Sequence, residues 1–155
     1  MSDRSTSHAT FVIERTYEAA PTRVWRAWAD PGAKLRWFGP RVLSKPEHEL
    51  EFRVGGLERM TVEAPDGALY TFAARYHDIV EGRRFIHTYE MYRDDARISV
   101  SVATVEFEPA GAGTKLTITE QGVFLDGLDT VAEREHGTRE LLDTLAGELA
   151  RPGAA

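Results

Sequence analysis

The stretch DTVAEREHGTRELLDTLAGELA, residues 129–150, reads as one long helix and decides how the rest of the chain is assembled. At about 100° per residue, Val131, Thr138, Leu141, Leu142, Leu145 and Leu149 fall on one stripe. Thr130 and Glu133 have capping-box spacing, with Asp129 as the alternative cap. A leucine stripe must be buried against another element. One and two turns before the leucines, the same face carries Thr138 and Arg134. A guanidinium does not sit unpaired in a dry core. Arg134 therefore either snorkels outward near the helix start or stands as a donor at the mouth of a wet pocket. Gly137, at the stripe's edge, costs about 1 kcal/mol of helix propensity relative to alanine. Close helix–sheet approach or extra pocket space would explain it.

Working back from this helix, residues 46–122 are strand and turn throughout. Strands are read over 47–54, 57–64, 68–80, 83–92, 96–108 and 114–122, separated by short turns such as Gly55-Gly56 and Pro65-Asp66-Gly67. Short turns predict an antiparallel meander. A further strand, 10–18, opens the chain, with Phe11, Ile13, Arg15 and Tyr17 alternating against Thr10, Val12, Glu14 and Thr16. Pro21 then starts a short helix carrying Val24, Trp25 and Trp28. Asp30-Pro31 starts a second, with Leu35, Trp37 and Phe38, closed by Gly39-Pro40. The order predicts an α+β fold: a curved antiparallel β-sheet wrapped around a long C-terminal helix, with two short helices after the first strand plugging one end. We expect one domain over 9–151, with flexible tails at 1–8 and 152–155.

The 155 residues fit a single domain. With 42% apolar and 28% charged residues, the composition argues against disorder, a fibre or a membrane protein. No run approaches the ~18 uninterrupted apolar residues of a membrane span. The start, MSDRSTSHAT, lacks an apolar h-region, so no secretory signal and a cytoplasmic location are expected. The absence of cysteine excludes disulfides, thiolate metal sites and thiol nucleophiles. A net charge of −6 removes the usual footprint of a nucleic-acid binder.

Candidate site residues follow from parity. If Leu116 and Ile118 are core, Glu120 also points inward, and could pair with Arg134 across a pocket. In strand 83–92 the face Phe85-His87-Tyr89-Met91 is the more apolar and is assigned to the concave side. His87 and Tyr89 then stand as polar groups in an apolar wall, either satisfied by neighbours or free to orient a ligand. Tyr70, Phe72, Ala74 and Tyr76 make an aromatic face on the preceding strand. Trp25, Trp28 and Trp37 read mainly as core plugs, and Trp37-Phe38 as a pocket lid. The five histidines, at 8, 48, 77, 87 and 136, show no HxH, HxxxH or HExxH spacing; His8 is assigned to the tail and His136 to the side opposite the stripe. No metal site or cofactor is expected. There is no GxSxG and no phosphate-binding loop. Strand 96–108 changes parity: Ile98, Val100 and Val102 share one face, Val105 and Phe107 the other.

The run Phe11-Val-Ile-Glu-Arg-Thr-Tyr-Glu-Ala-Ala-Pro21, then Val24-Trp25-Arg-Ala-Trp28-Ala-Asp-Pro31 and Arg36-Trp37-Phe38-Gly39-Pro40, resembles the homologues of the activator of the ninety-kilodalton heat-shock protein's ATPase. Gly55-Gly56, Arg75-Tyr76-His77-Asp78-Ile79-Val80, Val105-Glu-Phe107, Thr114-Lys-Leu116 and Gly137…Leu141-Leu142-Asp143…Leu145 fit in order. Several members carry Trp after the helix glycine, where this chain has Thr138. The resemblance implies the START-like helix-grip (SRPBCC) fold. It does not imply the cochaperone role, since the eukaryotic cochaperone has an additional chaperone-binding domain for which this length leaves no room. The function implied is binding of a small hydrophobic or aromatic molecule in the cavity between sheet and helix. A polyketide cyclase/aromatase-like enzyme and a chaperone-associated or regulatory interaction protein are the alternatives. The cavity candidates are Trp37, Phe72, Tyr76, His87, Tyr89, Glu120, Arg134 and Thr138. Partners expected are that small molecule, with a homodimer left open, and neither nucleic acid nor membrane.

Overall fold

Seven strands form one antiparallel sheet in the order β1-β7-β6-β5-β4-β3-β2 in the computed structural model, which describes residues 4–38 and 47–151. The elements are β1 (Thr6–Tyr17), α1 (Pro21–Ala29), α2 (Pro31–Leu35), β2 (Glu47–Leu50), β3 (Leu57–Glu63), β4 (Leu69–Val80), β5 (Arg84–Arg93), β6 (Ala96–Ala110), β7 (Gly113–Leu125) and α3 (Val131–Leu149). Strands β2 to β7 form the expected meander, and β1 pairs along β7 on the far edge. This is the helix-grip arrangement: a curved sheet, a C-terminal helix on its concave face, and two short helices at one end.

Local chemistry accounts for the turns. Gly67, at φ +87°, closes the β3–β4 turn, a left-handed conformation that glycine adopts without strain, and Asp66 accepts a hydrogen bond from the Ala68 N–H at 2.9 Å. Gly113 begins β7 where an added Cβ would lie 2.2 Å from the Tyr17 carbonyl oxygen, so any side chain there would push β1 away. A register shift pairs Met91 with Ser99 but Tyr92 with Arg97. The bulge leaves Ile98 and Ser99 both buried and turns Ser101, Ala103, Val105 and Phe107 inward, which resolves the parity change in this strand.

Several strand boundaries differ from the expectation. β1 starts at Thr6, because β7 continues to Leu125 and supplies partners as far as Thr6. His8 is therefore a strand residue opposite Val123, not part of a tail. β2 stops at Leu50, because Gly55 and Gly56 divert the chain to bond the Tyr76 backbone. The proposed helix stop at Gly39-Pro40 lies outside the described residues, as do the segments 1–3 and 152–155.

The core lies between α3, α1 and the β1–β7–β6 side of the sheet. α3 buries Leu142, Leu145 and Leu149 among Ile13, Tyr17, Val24, Leu116 and Ile118. Thr130 caps it, its hydroxyl oxygen accepting from the Glu133 N–H at 3.1 Å. The Tyr17 hydroxyl donates to the Leu142 carbonyl at 3.0 Å. α1 begins at Pro21 and sends Trp25 edge-on to Phe107 at 4.9 Å; Trp28 packs against Trp37 at 4.7 Å. Trp37 donates its indole N–H to the Ala27 carbonyl at 2.9 Å. Arg36 ties the end of α2 to Glu148 of α3 at 2.6 Å. Among the described residues, no helix is long and apolar enough to cross a membrane.

Candidate functional site: the cavity between sheet and C-terminal helix

Because α3 packs on β1 and α1, it stands away from β3, β4 and β5, and a cavity of about 870 Å³ opens there. Its wall is largely apolar and aromatic: Met60, Phe72, Tyr89, Val105, Ile118 and Trp37 contribute. Ala64-Pro65 of the β3–β4 turn and Gly137, Glu140 and Leu141 of α3 also line it. Nothing lies within 4 Å of a Cβ built on Gly137, so this glycine leaves space beside the cavity and does not serve close helix–sheet packing.

One corner is polar. Arg134 is turned inward, its side chain 10% exposed, and donates through Nη1 to the Tyr89 hydroxyl at 3.0 Å and through Nη2 to Ser99 at 2.7 Å and Asp129 at 2.6 Å. The Tyr89 hydroxyl donates in turn to Glu120 Oε2 at 2.7 Å, while Arg134 reaches that oxygen at 3.6 Å. The sequence places Glu120 here because β7 continues its inward alternation through Leu116 and Ile118. Burial pushes the Glu120 carboxyl above its ordinary value, against the pull of Tyr89 and Arg134. Burial likewise raises Tyr89. Desolvation opposes the charge on Arg134, but Tyr89, Glu120 and Asp129 outweigh it and hold the guanidinium protonated.

A second polar cluster lies at the inner end. Lys34 of α2, fully buried, donates to Glu58 Oε1 of β3 at 2.6 Å. The Tyr76 hydroxyl donates to the same oxygen at 2.6 Å, and His48 Nε2 lies 2.8 Å from Glu58 Oε2. The Lys34 ammonium also sits 4.4 Å from the centre of the Phe38 ring and 5.4 Å from that of Trp28. Burial penalises the Glu58 carboxylate, yet Lys34 and the donors from His48 and Tyr76 hold its pKa down at about 2. Burial pulls Lys34 below the usual lysine value, against Glu58. Between the clusters stands His87, 5% exposed, with its pKa lowered to about 4 by burial and by the Lys34 charge.

Of the eight residues picked from sequence, Trp37, Phe72, His87, Tyr89, Glu120, Arg134 and Thr138 line this cavity. Tyr76 does not. It is fully buried behind the wall, edge-on to Phe52 at 5.0 Å, with its hydroxyl engaged by Glu58. Arg134 does not snorkel outward, because Asp129, Ser99 and Tyr89 satisfy it inside. Thr138 bonds back to the Arg134 carbonyl at 2.9 Å. His136 pairs with Glu140 on the exposed side of α3. Lys34, Glu58 and His48 were not anticipated. Glu58 shares the parity of Met60 and Val62, the argument that turns Glu120 inward, and Lys34 precedes Trp37 and Phe38 by three and four residues. Among the described residues, no three His, Asp or Glu side chains are grouped to hold a metal ion.

Residues 18–150 match the family described as "Activator of Hsp90 ATPase homolog 1-like protein". Among solved structures, the chain is similar to an uncharacterized protein from Rhizobium leguminosarum, at 45% identity and a TM-score of 0.91 over 96% of this chain and 98% of that one. A protein from Rhizobium loti shares 42% identity at a TM-score of 0.86, over 93% and 99% of the two chains. A protein from Chromobacterium violaceum shares 27% at 0.75, over 92% and 97%. No curated protein matches the chain.

Proposed function

Because the chain belongs to the Activator of Hsp90 ATPase homolog 1-like family and has its START-like helix-grip fold, we propose that it binds one small hydrophobic or aromatic molecule between sheet and α3. The observation that carries this reading is the cavity itself. Its volume of about 870 Å³ falls within the roughly 300–1,000 Å³ of small-molecule sites, and a mostly apolar wall surrounds a few convergent polar groups. The two cations among the described wall residues already have anionic partners: Lys34 has Glu58, and Arg134 has Asp129 with Glu120 nearby. Among the described residues, no uncompensated positive charge on the wall calls for an anion. The ligand is therefore neutral, with an aromatic or alicyclic body against Phe72, Tyr89 and Trp37.

A second reading, an enzyme of the cyclase/aromatase kind, draws support from one feature: the buried Glu120 carboxyl, raised and bonded to Tyr89, is suited to proton transfer. Replacing Glu120 with Gln separates the two, since a carrier changes only in affinity and an enzyme loses turnover.

Thermal denaturation with 2-methylnaphthalene and larger neutral polycyclic probes tests the binding reading. At a hundredfold excess over Kd, a ligand of the native state adds about 2.7 kcal/mol. For a domain of this size that is a Tm rise of roughly 5–10 °C. No rise with any probe in the series would overturn it.

A further inference from the structure

Lys34 is the group on the cavity wall that the binding of a neutral apolar body leaves unused. The chain contains sixteen arginines and three lysines, Lys34, Lys45 and Lys115. Lys115 is a surface residue paired with Glu14 at 3.0 Å. Lys34 alone of the described lysines lines the cavity, where it is fully buried among the Trp28, Phe38 and His87 side chains that share that wall. Desolvation is what turns lysine into a nucleophile; Glu58 opposes it by favouring the ammonium, but stands where it can receive the proton the amine gives up. As a purely structural link this pair adds little, because well-packed apolar residues commonly match a buried ion pair in stability.

A second observation points to an oxygen at the same end. Among the described residues, the buried side-chain polar atoms without a hydrogen-bond partner are Trp28 Nε1 and His87 Nδ1. Both residues line this cavity, and both flank Lys34: its ammonium lies 5.4 Å from the Trp28 ring, and its charge acts on His87. Buried polar groups ordinarily have partners. A carbonyl oxygen here would accept from the Trp28 indole N–H, and from His87 in the tautomer that carries its proton on Nδ1, which would place its carbon on the Lys34 side of the cavity.

We propose that the Lys34 amine forms a reversible imine with an aldehyde or unhindered ketone held in the cavity. Glu58 Oε1, at 2.6 Å, takes a proton from the ammonium, and the free amine attacks the carbonyl carbon. The C=O electron pair moves to oxygen, which accepts a proton from the Glu58–Tyr76 pair to give a carbinolamine. Glu58 then carries one proton from the nitrogen to the hydroxyl, the C–O bond breaks as water leaves, and the nitrogen lone pair forms the C=N bond, leaving a protonated imine facing the Glu58 carboxylate. One water is released, the total charge is unchanged, and no oxidant or reductant takes part. This inference rests on the binding reading above and specifies its ligand as a carbonyl compound.

The test is reductive trapping. The protein is incubated with 2-naphthaldehyde, reduced with cyanoborohydride and mapped by peptide mass spectrometry, with 2-methylnaphthalene as non-carbonyl control and competitor. The expected result is an adduct at Lys34 that saturates, exceeds that at Lys115 by on the order of tenfold and falls when 2-methylnaphthalene is added. Lys34→Arg keeps the cation and loses the adduct. Should that variant fail to fold, saturation and competition in the unaltered protein decide. A Tm rise with both compounds but no Lys34 adduct, or a Lys34 adduct only in urea, overturns the imine and leaves the binding reading intact. A saturable Lys34 adduct that 2-methylnaphthalene neither competes with nor accompanies with a Tm rise upholds the amine and removes the apolar-cavity reading. No Tm rise and no adduct removes both.

Discussion

Tyr89→Phe is the cleanest probe of the cavity's polar corner, because it deletes one oxygen and keeps the ring. That oxygen accepts from Arg134 at 3.0 Å and donates to Glu120 at 2.7 Å, while the ring stacks at a tilt on Phe72 with centroids 4.8 Å apart. Each bond engages an ionisable partner, and such bonds contribute about 1.5–3 kcal/mol apiece. Arg134 and Glu120 already lie 3.6 Å apart, so they can close directly and recover part of the loss. The expected cost is about 2 kcal/mol, which for this chain length lowers Tm by roughly 4–8 °C. Urea unfolding followed by circular dichroism reads it as a shifted midpoint with unchanged slope. A double-mutant cycle with Glu120→Gln should give a coupling of about 1 kcal/mol or more. A loss below about 0.5 kcal/mol, within the range of an uninvolved surface site, would refute the bridging role of the hydroxyl.

Other perturbations read other parts of the site. His87 has a folded pKa of about 4 against 6.5 unfolded, so protons favour the unfolded chain. Its contribution is complete above pH 6.5 and is lost as pH falls towards 4, about 3 kcal/mol in all; His87→Phe should flatten the stability profile in that window. Glu58, held at about 2, contributes above its unfolded value of 4.5 and loses that contribution as pH falls towards 2; the unaltered protein's profile minus that of His87→Phe, or minus that of Glu58→Gln, should fall on acidification, and a difference that rises would contradict the assignment. Gly137→Leu places a side chain in open space on the cavity lining, so the fold should persist, helped by about 1 kcal/mol of helix propensity, while the Tm rise with 2-methylnaphthalene disappears. Lys34→Met leaves Glu58 buried without its cation and should cost about 3–5 kcal/mol in urea unfolding, with Glu58→Gln added to it restoring part of the loss.

The order of elements was legible because each signal was local: Pro21 and Asp30-Pro31 start helices, Pro65-Asp66-Gly67 turns the chain, and the leucines of α3 repeat at helical spacing. The inward turn of Glu120, Tyr89 and His87 followed from alternation alone, since β5 and β7 carry no bulge across those residues. Ser99 was not legible, because the bulge at Ile98 reverses parity and leaves no mark in composition. The Lys34–Glu58–His48 cluster failed for another reason. It joins three segments that composition marks as exposed: Leu57 looks like the core residue, yet it is 52% exposed while its neighbour Glu58 is buried. Only the pairing of α2 with β3 across the sheet's end makes burial of those charges tolerable, and such long-range pairing is invisible to local pattern.

The central claim is that a small neutral molecule occupies the space between sheet and α3. Intermolecular nuclear Overhauser effects between 2-methylnaphthalene and assigned methyl groups test it most directly. The predicted contacts are to Met60, Val105, Ile118 and Leu142, which line the cavity. Contacts confined to exposed Val12 and Val100 would place the probe on the surface and contradict the account, as would none at saturating probe.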